Sequence, residues 1–390
     1  MNLRKKSRKD WGRLALKFKK LSAVGFYATE RVNINILDLE NYISTENMNP
    51  NKEGVTNASK LPSAKTTSAF KKGDILISNI RPYFKKIWYA DKDGGCSNDV
   101  LVIRASDGID SKFLYYVLAD DNFFDYTTGS AKGTKMPRGD KSAIMQYQVP
   151  DLSFERQREI SKILSSLDDR IAENKKINHH LEQMLQISFS ELINSSALEK
   201  FILYDLADII DNRGKTPPLV DSSEFPIIDV RTLAGETRLV EYGNVQKYVS
   251  EETYNNWFRN GHPQKYDSLI STVGSVGAMK MFLQNKGTIA QNVVALRSKN
   301  AKGIFLYQLL LSLQKKLKAY DIGSVQPSIK VTQFMKQEIN IPRFDIISKW
   351  ESNNLPFVEL TLEKQLEIEN LIVLRDSLLP KLMSGEITID

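Results

Sequence analysis

Phe154-Glu155-Arg156-Gln157-Arg158-Glu159-Ile160-Ser161-Lys162-Ile163-Leu164-Ser165-Ser166-Leu167-Asp168-Asp169-Arg170-Ile171 opens the stretch that decides the fold. From 154 to 192 the chain holds neither Pro nor Gly, 39 residues in all, or roughly 58 Å of helix at a rise of about 1.5 Å per residue. Ile160, Leu164, Leu167, Ile171, Leu181, Leu185 and Leu192 follow spacings of four and three, and Asn174 and Asn178 fill the skipped positions. That pattern is a coiled-coil seam with a polar layer. A helix of this length outruns any single globule it could lie on, so a partner helix is expected. Leu355, Val358, Leu362, Leu366 and Val373 supply a matching stripe that runs on into Leu374, Leu378 and Leu382. Pro356 falls within it and predicts a helix start or a kink there.

Either side of these helices the chain repeats itself. Asp74-Ile75-Leu76-Ile77-Ser78 returns as Asp267-Ser268-Leu269-Ile270-Ser271, and Asn98-Asp99-Val100-Leu101-Val102-Ile103-Arg104 as Gln291-Asn292-Val293-Val294-Ala295-Leu296-Arg297, both after 193 residues. Phe113-Leu114-Tyr115 and Val149-Pro150 return as Phe305-Leu306-Tyr307 and Ile341-Pro342 after 192. Four blocks in one order at nearly one offset imply an internal duplication. Each half reads as short β-branched and aromatic strands, a short helix, a Gly-rich polar loop, a last strand ending in Pro, and then a long charged helix. The fold class is therefore α+β. Two heads of mixed strands and short helices alternate with two long helices that pair antiparallel as a coiled coil, with pseudo-two-fold symmetry. The expected divisions are residues 1–150, 151–195, 196–342 and 343–390. Such a molecule is a ruler that holds two binding heads apart.

Composition excludes several classes. The 390 residues are 41% hydrophobic and 26% charged, an ordinary globular balance. The longest apolar run, about residues 304–313, is too short for a membrane span of roughly 20 residues, and the basic N-terminus lacks a signal-peptide core. With Cys96 as the one cysteine, a reducing cytoplasm fits. One Cys and His179, His180 and His262 do not make a zinc site. Net charge is +7, of which residues 1–31 carry +8, leaving the remainder near −1. A segment this basic is a solvated tail or a phosphate-binding arm.

Catalytic motifs are missing. Arg213-Gly214-Lys215-Thr216 resembles the end of a phosphate loop, but Ile209 stands where the first Gly is required, and Pro217-Pro218 follows. Gly274-Ser275-Val276-Gly277 lacks the third Gly of a dinucleotide fingerprint and reads as a hairpin turn. Asn49-Pro50-Asn51 is the nearest text to an amino-methyltransferase motif and does not complete it. Asp229 has no partner that would complete a nuclease carboxylate cluster.

The polar stretches instead suit recognition. In the first half, Ser78, Asn79, Arg81, Lys85 and Lys86, with Lys132, Lys135, Arg138 and Lys141, set cations among Gly and hydroxyl residues. In the second, Arg213, Lys215, Thr216, Arg231, Ser271, Thr272, Gln326, Ser328 and Lys330 take those places. Arg reads guanine edges, Asn and Gln read adenine, and Lys, Ser and Thr hold phosphates. Any one of these residues could be solvated loop. As equivalent sets on two heads they point to DNA.

Leu374-Arg375-Asp376-Ser377-Leu378-Leu379-Pro380-Lys381-Leu382-Met383-Ser384-Gly385-Glu386-Ile387 resembles the closing segment of specificity subunits of Type I restriction-modification systems. Gln157-Arg158-Glu159-Ile160 with Leu164, Leu167, Ile171, Asn174, Asn178 and Leu181 is similar to that family's central helix. Gly133-Thr134-Lys135-Met136-Pro137-Arg138-Gly139-Asp140 and Arg213-Gly214-Lys215-Thr216-Pro217 also recur there. The resemblance implies two target recognition domains, each reading one half of a bipartite sequence in double-stranded DNA. It also implies helices that set the spacer and dock two modification subunits, which restriction subunits then join. S-adenosylmethionine, ATP and Mg would belong to those partners, and this chain would hold no cofactor and perform no catalysis. The opening, residues 11–32, matches 203–216 poorly, and the basic N-terminal residues have no repeat counterpart. Two other readings stand beside this one: the specificity subunit of a related Type II system, and a coiled-coil scaffold whose heads bind protein.

Overall fold

The computed structural model describes residues 17–383 except Thr134, Arg213, Lys215, Glu236, Arg259, Ala301 and 320–327, together with Glu386 and Ile387. The chain divides into two compact units, Met1–Asp169 with Leu371–Asp390, and Arg170–Asn370. Each long helix contributes to both.

In the first unit an antiparallel sheet runs in the order Gly25–Tyr27, Val100–Ala105, Ile75–Ser78, Ile87–Tyr89. Strand alternation sends Ile75, Ile77, Leu101 and Ile103 to one face, against Phe113, Leu114, Val117 and Phe123 of two short helices. Leu76, Val100 and Val102 face the other way, against Phe70, Ile43 and Cys96 of a second sheet. Both faces are covered, so these strands read as unbroken apolar runs. The second sheet is ordered Arg31–Asn33, Thr66–Phe70, Gly94–Cys96, Tyr42–Ile43, its last pair parallel. The short helices begin where Asp110 and Asp120 accept hydrogen bonds from the backbone N–H groups of Phe113 and Asn122.

The second unit repeats this plan. Its sheet is ordered Ala207–Asp211, Val293–Ser298, Asp267–Ser271, Met279–Phe282, and Phe225–Ile228 pairs parallel with Thr288–Ile289 beside it. Ser78 lies opposite Val100, and Ser271 opposite Val293. Buried Asp74 holds Arg104 at 2.7 Å, and buried Asp267 holds Arg297 at 2.7 Å. The duplication thus extends to individual ion pairs. It also covers the opening, where sequence showed little. Leu21 and Ser22 donate to the Tyr147 and Met145 carbonyls, as Leu203 and Tyr204 donate to those of Gln337 and Met335. There the halves are offset by 182 residues instead of 193, and that break in register hides the match.

The central helix is Phe154–Ser195 and the C-terminal helix Phe344–Met383. They run antiparallel within each unit. In the first, Arg156 donates to the Ile387 carbonyl, Arg375 to Asp168 at 2.8 Å, and Ile160 and Leu164 pack in the same core as Leu379 and Leu382. In the second, Arg170 pairs with Glu367 at 2.8 Å and the Trp350 indole donates to Ser188 at 2.9 Å.

The C-terminal helix differs from expectation in where it starts and in part of its buried stripe. It begins at Phe344 and continues through Pro356. Pro356 and Ser352, whose carbonyl loses its N–H partner, both lie on the exposed side of the helix. The buried stripe is in part out of step with the expected one. Leu355, Leu366 and Val373 are exposed, at 38%, 40% and 69%, and Leu362 is half-buried. Val358 and Leu382 are buried as expected, and Ile347, Trp350, Asn354, Thr361, Gln365 and Ile368 are buried with them at three- and four-residue spacing. On the central helix, Ile160, Leu164, Ile171, Asn174, Leu181 and Leu185 are buried as expected, Leu167 and Asn178 are half-buried, and Phe189 joins the seam. Asn174 is fully buried in the seam, on the helix turn that faces Glu367.

Candidate nucleic-acid interface

The first head brings its two polar stretches together. Strand Ile75–Ser78 leads into a hairpin whose flanks, Arg81 and Lys85, are left-handed, at φ 51° and 52°, around a tight turn at Pro82–Phe84. The loop after the helix Asp121–Gly129 crosses this hairpin. Arg81 donates its backbone N–H to the Pro137 carbonyl at 2.8 Å, Gly139 donates to that of Asn79 at 3.1 Å, and Ile80 bridges Arg138. Gly139 lets the two segments approach closely at the crossing, since an added Cβ would press on Asn79 Oδ1 at 3.0 Å and on Ile144 at 3.1 Å.

Burial sorts the expected contact residues. Ser78 and Asn79 are buried, and the Ser78 hydroxyl donates to the Ile80 carbonyl, so both brace the loop from inside. Lys86 Nζ donates to the Thr45 carbonyl at 2.7 Å, and burial lowers its pKa. Arg138, Lys132 and Lys135 are exposed. Arg138 pairs with Asp99 at 3.1 Å, Lys132 with Asp140 at 2.6 Å and Lys85 with Asp121 at 3.0 Å. Exposed pairs of this kind are worth about 0–1 kcal/mol. A phosphate or base edge can therefore replace the carboxylate at little cost. Lys135 has no ion pair among the described residues, and Lys141 is exposed at the start of the helix Lys141–Ile144.

The second head builds the same crossing from different side chains. Val273 bridges Ser328, and Ile329 donates to the Thr272 carbonyl at 3.0 Å, as Gly139 does to that of Asn79. Thr272 N–H donates to the Asn292 carbonyl at 2.9 Å, as Asn79 N–H does to that of Asp99 at 2.8 Å. Ser271 and Thr272 are buried, their hydroxyls bonded to the Ser275 and Asn292 carbonyls, and they too act as braces. Thr216, Arg231 and Lys330 are exposed. Thr216 and Arg231 line a cavity of about 190 Å³ with Asn212, Lys247 and Asn292, and Arg231 also bonds Gln246. Arg213, Lys215 and Gln326 lie outside the described residues, as does the basic segment up to residue 16. Sequence reasoning did not single out Asp99 and Asn292, the pivots of the two crossings. Their place in the repeated block just before a buried strand was the available signal.

A family model for the Type I restriction modification DNA specificity domain matches residues 12–183 and again 196–349. The chain belongs to that family. Each match covers one head and the leading part of the long helix that follows it, so the duplication in the fold is a duplication of the family's domain. Among relatives of this specificity-domain protein, the Type I restriction enzyme MjaIX specificity subunit of Methanocaldococcus jannaschii is 24% identical over 346 residues, covering 82% of this chain and 79% of the relative. The HindI specificity subunit of Haemophilus influenzae is 25% identical over 418 residues, covering 85% and 90%. The crystal structure of a Type I restriction-modification S subunit from M. genitalium shares the fold, with a TM-score of 0.58 at 17% identity over 95% of this chain and 97% of that one. Among the described residues no helix is long and apolar enough to cross a membrane.

Proposed function

We propose that this chain is the DNA specificity subunit of a Type I restriction-modification complex. Each head reads one half of a bipartite target in double-stranded DNA, and the paired helices set the spacer and dock two modification subunits, which restriction subunits join. The observation that carries this reading is the loop crossing built twice on one backbone plan with different side chains: Ile80 on Arg138 in one head, Val273 on Ser328 in the other. A constant frame with changed surface residues suits two heads that read two different half-sequences.

The chemistry of reading follows from what each group offers. The Arg138 guanidinium has the planar donor pair that matches guanine O6 and N7, whereas Lys132 and Lys135 are point charges suited to phosphate. In the second head, Asn292 offers an amide that matches the adenine edge. Methyl transfer and cleavage, with S-adenosylmethionine, ATP and Mg, are assigned to the partner subunits, in the cytoplasm where chromosomal DNA lies. The family match is to the Type I specificity domain, so neither a Type II subunit nor a protein-binding scaffold is favoured.

Methylome sequencing of cells with and without this gene tests the reading. The expected result is a split motif, two short defined halves around an unspecified spacer, modified only when the gene is present. A methylome unchanged by its loss, with the modification subunits expressed, would refute it.

A further inference from the structure

The two heads differ in where they keep positive charge beside the recognition crossing. In the first, the hairpin after strand Ile75–Ser78 carries Arg81, Lys85 and Lys86, and the adjoining helix Asp121–Gly129 answers with Asp121, which holds Lys52 at 2.7 Å and Lys85 at 3.0 Å. In the second, the equivalent hairpin is the uncharged Gly274-Ser275-Val276-Gly277, and the equivalent helix, Gln314–Lys318, carries Lys315, Lys316 and Lys318. Charge has moved from hairpin to helix while the junction between them has stayed positive.

In the second head that junction is a cavity of about 270 Å³ lined by Arg238, Ser275, Gln314 and Lys318. Its walls are held in place. Gln314 Nε2 donates to the Gly277 carbonyl at 2.7 Å, tying helix to hairpin. The Lys318 stem lies over Gly277, where an added Cβ would meet it at 3.3 Å. The backbone of Arg238 is fixed on both sides, its N–H donating to Glu182 at 3.1 Å and its carbonyl accepting from Met281 at 2.8 Å. Its side chain forms an ion pair with Glu182, 3.8 Å from the buried Nε, and the residue lines the cavity. Lys318 has no ion pair among the described residues.

We propose that this junction of Arg238, Ser275 and Lys318 is a seat for one backbone phosphate of the DNA half-site read by the second head. A guanidinium in the wall, an exposed ammonium with no ion pair among the described residues and a hydroxyl around one concave space are a phosphate-binding set. The adjacent turn leaves strand Asp267–Ser271 just beyond the recognition crossing, so a phosphate held here fixes the register of the bases read there. The inference rests on the function proposed above and adds to it a positional contact that carries no sequence information.

The experiment uses the complete complex with modification subunits and DNA carrying the bipartite target, with affinity measured across a range of chloride concentrations. Lys318 is exposed, so Lys318→Gln leaves the fold intact. It should weaken binding about 3–10-fold at ~0.1 M salt and lower the slope of log K against log salt by about 1. The loss should be equal for intact targets and for targets altered in either half, and Lys318→Arg should restore the slope. An unchanged slope in Lys318→Gln, or a loss confined to one base position, would overturn the seat. Inorganic phosphate separates a DNA phosphate from a free anion. At matched ionic strength it should compete no better than chloride, and Lys318-dependent displacement of DNA by phosphate would overturn the assignment to DNA. If the wild-type complex bound no DNA, the underlying function would fall together with the seat.

Discussion

Phe189→Ala should unfold the second unit far more readily than its position on a long charged helix suggests. Phe189 is buried on the central helix, its ring 5.5 Å from Phe305 of the head and 6.1 Å from Trp350 of the C-terminal helix, centroid to centroid. It therefore joins three elements of one core. Removing a buried phenyl ring forfeits its transfer free energy and leaves a cavity, about 3–5 kcal/mol together. That is a large share of the roughly 5–15 kcal/mol that holds an ordinary domain together. Ile187, two residues earlier and 59% exposed, is the control, and Ile187→Ala should cost about 0.5 kcal/mol or less. Trp350 reports directly, because its indole bonds Ser188 and packs on Phe189. Urea denaturation followed by tryptophan emission should show the midpoint fall sharply for Phe189→Ala and hold for Ile187→Ala. A loss below about 1 kcal/mol, or equal losses in the two variants, would refute the claim that residues 170–195 belong to the core of the second unit.

Acid should loosen the helix pair through Glu367. Arg170 and Lys364 hold its carboxyl down from 4.5 to about 2, so its contribution to stability is full above pH 4.5 and fades as pH falls toward 2. Melting temperatures across that range should fall less steeply for Glu367→Gln than for the wild type. Deleting residues 171–177 and 361–367 together removes one heptad from each helix, two turns or about 10 Å, and keeps the remaining seam in step. The accepted DNA spacer should shorten by up to about three base pairs with both half-sequences unchanged, read by methylome sequencing, and an unchanged spacer in an active deletion variant would contradict the ruler. Arg138→Ala should cost about 1–3 kcal/mol and relax one position of one half-site if Arg138 reads a base, measured by binding to targets varied at each position.

Much of the plan was legible because it rests on patterns that survive divergence. The repeat at 192–193 residues preserved buried strands, whose side chains meet the core on both faces and change little. The opening was not legible, since residues 18–22 are tied to the strand Gln148–Pro150 and the residues before it, and 25–27 to Val100–Ala105, through backbone bonds that ask little of side-chain identity. The C-terminal seam misled for a related reason. Its buried positions include Asn354, Thr361 and Gln365, which an apolar count skips, while Leu355 and Leu366 sit one position aside. The polar layer at Asn174 and Asn178 was a hint that the partner helix would be polar too. At the interface, the loops rich in cations were visible. Residue type alone could not tell the internal braces Ser78, Asn79, Ser271 and Thr272 from surface contacts, nor show that Asp99 and Asp121 approach from distant segments to hold Arg138 and Lys85.

The assignment of one head to one half-site is tested most directly by exchange. Residues 17–150 are replaced by the corresponding head of a family member with a different target, the complex is assembled with its modification subunits, and binding is measured on DNA altered in one half-site at a time. The account predicts that one half-sequence changes to that of the donor while the other half and the spacer stay as they were. A change in both half-sequences, or in neither, by a complex that still binds DNA would contradict it.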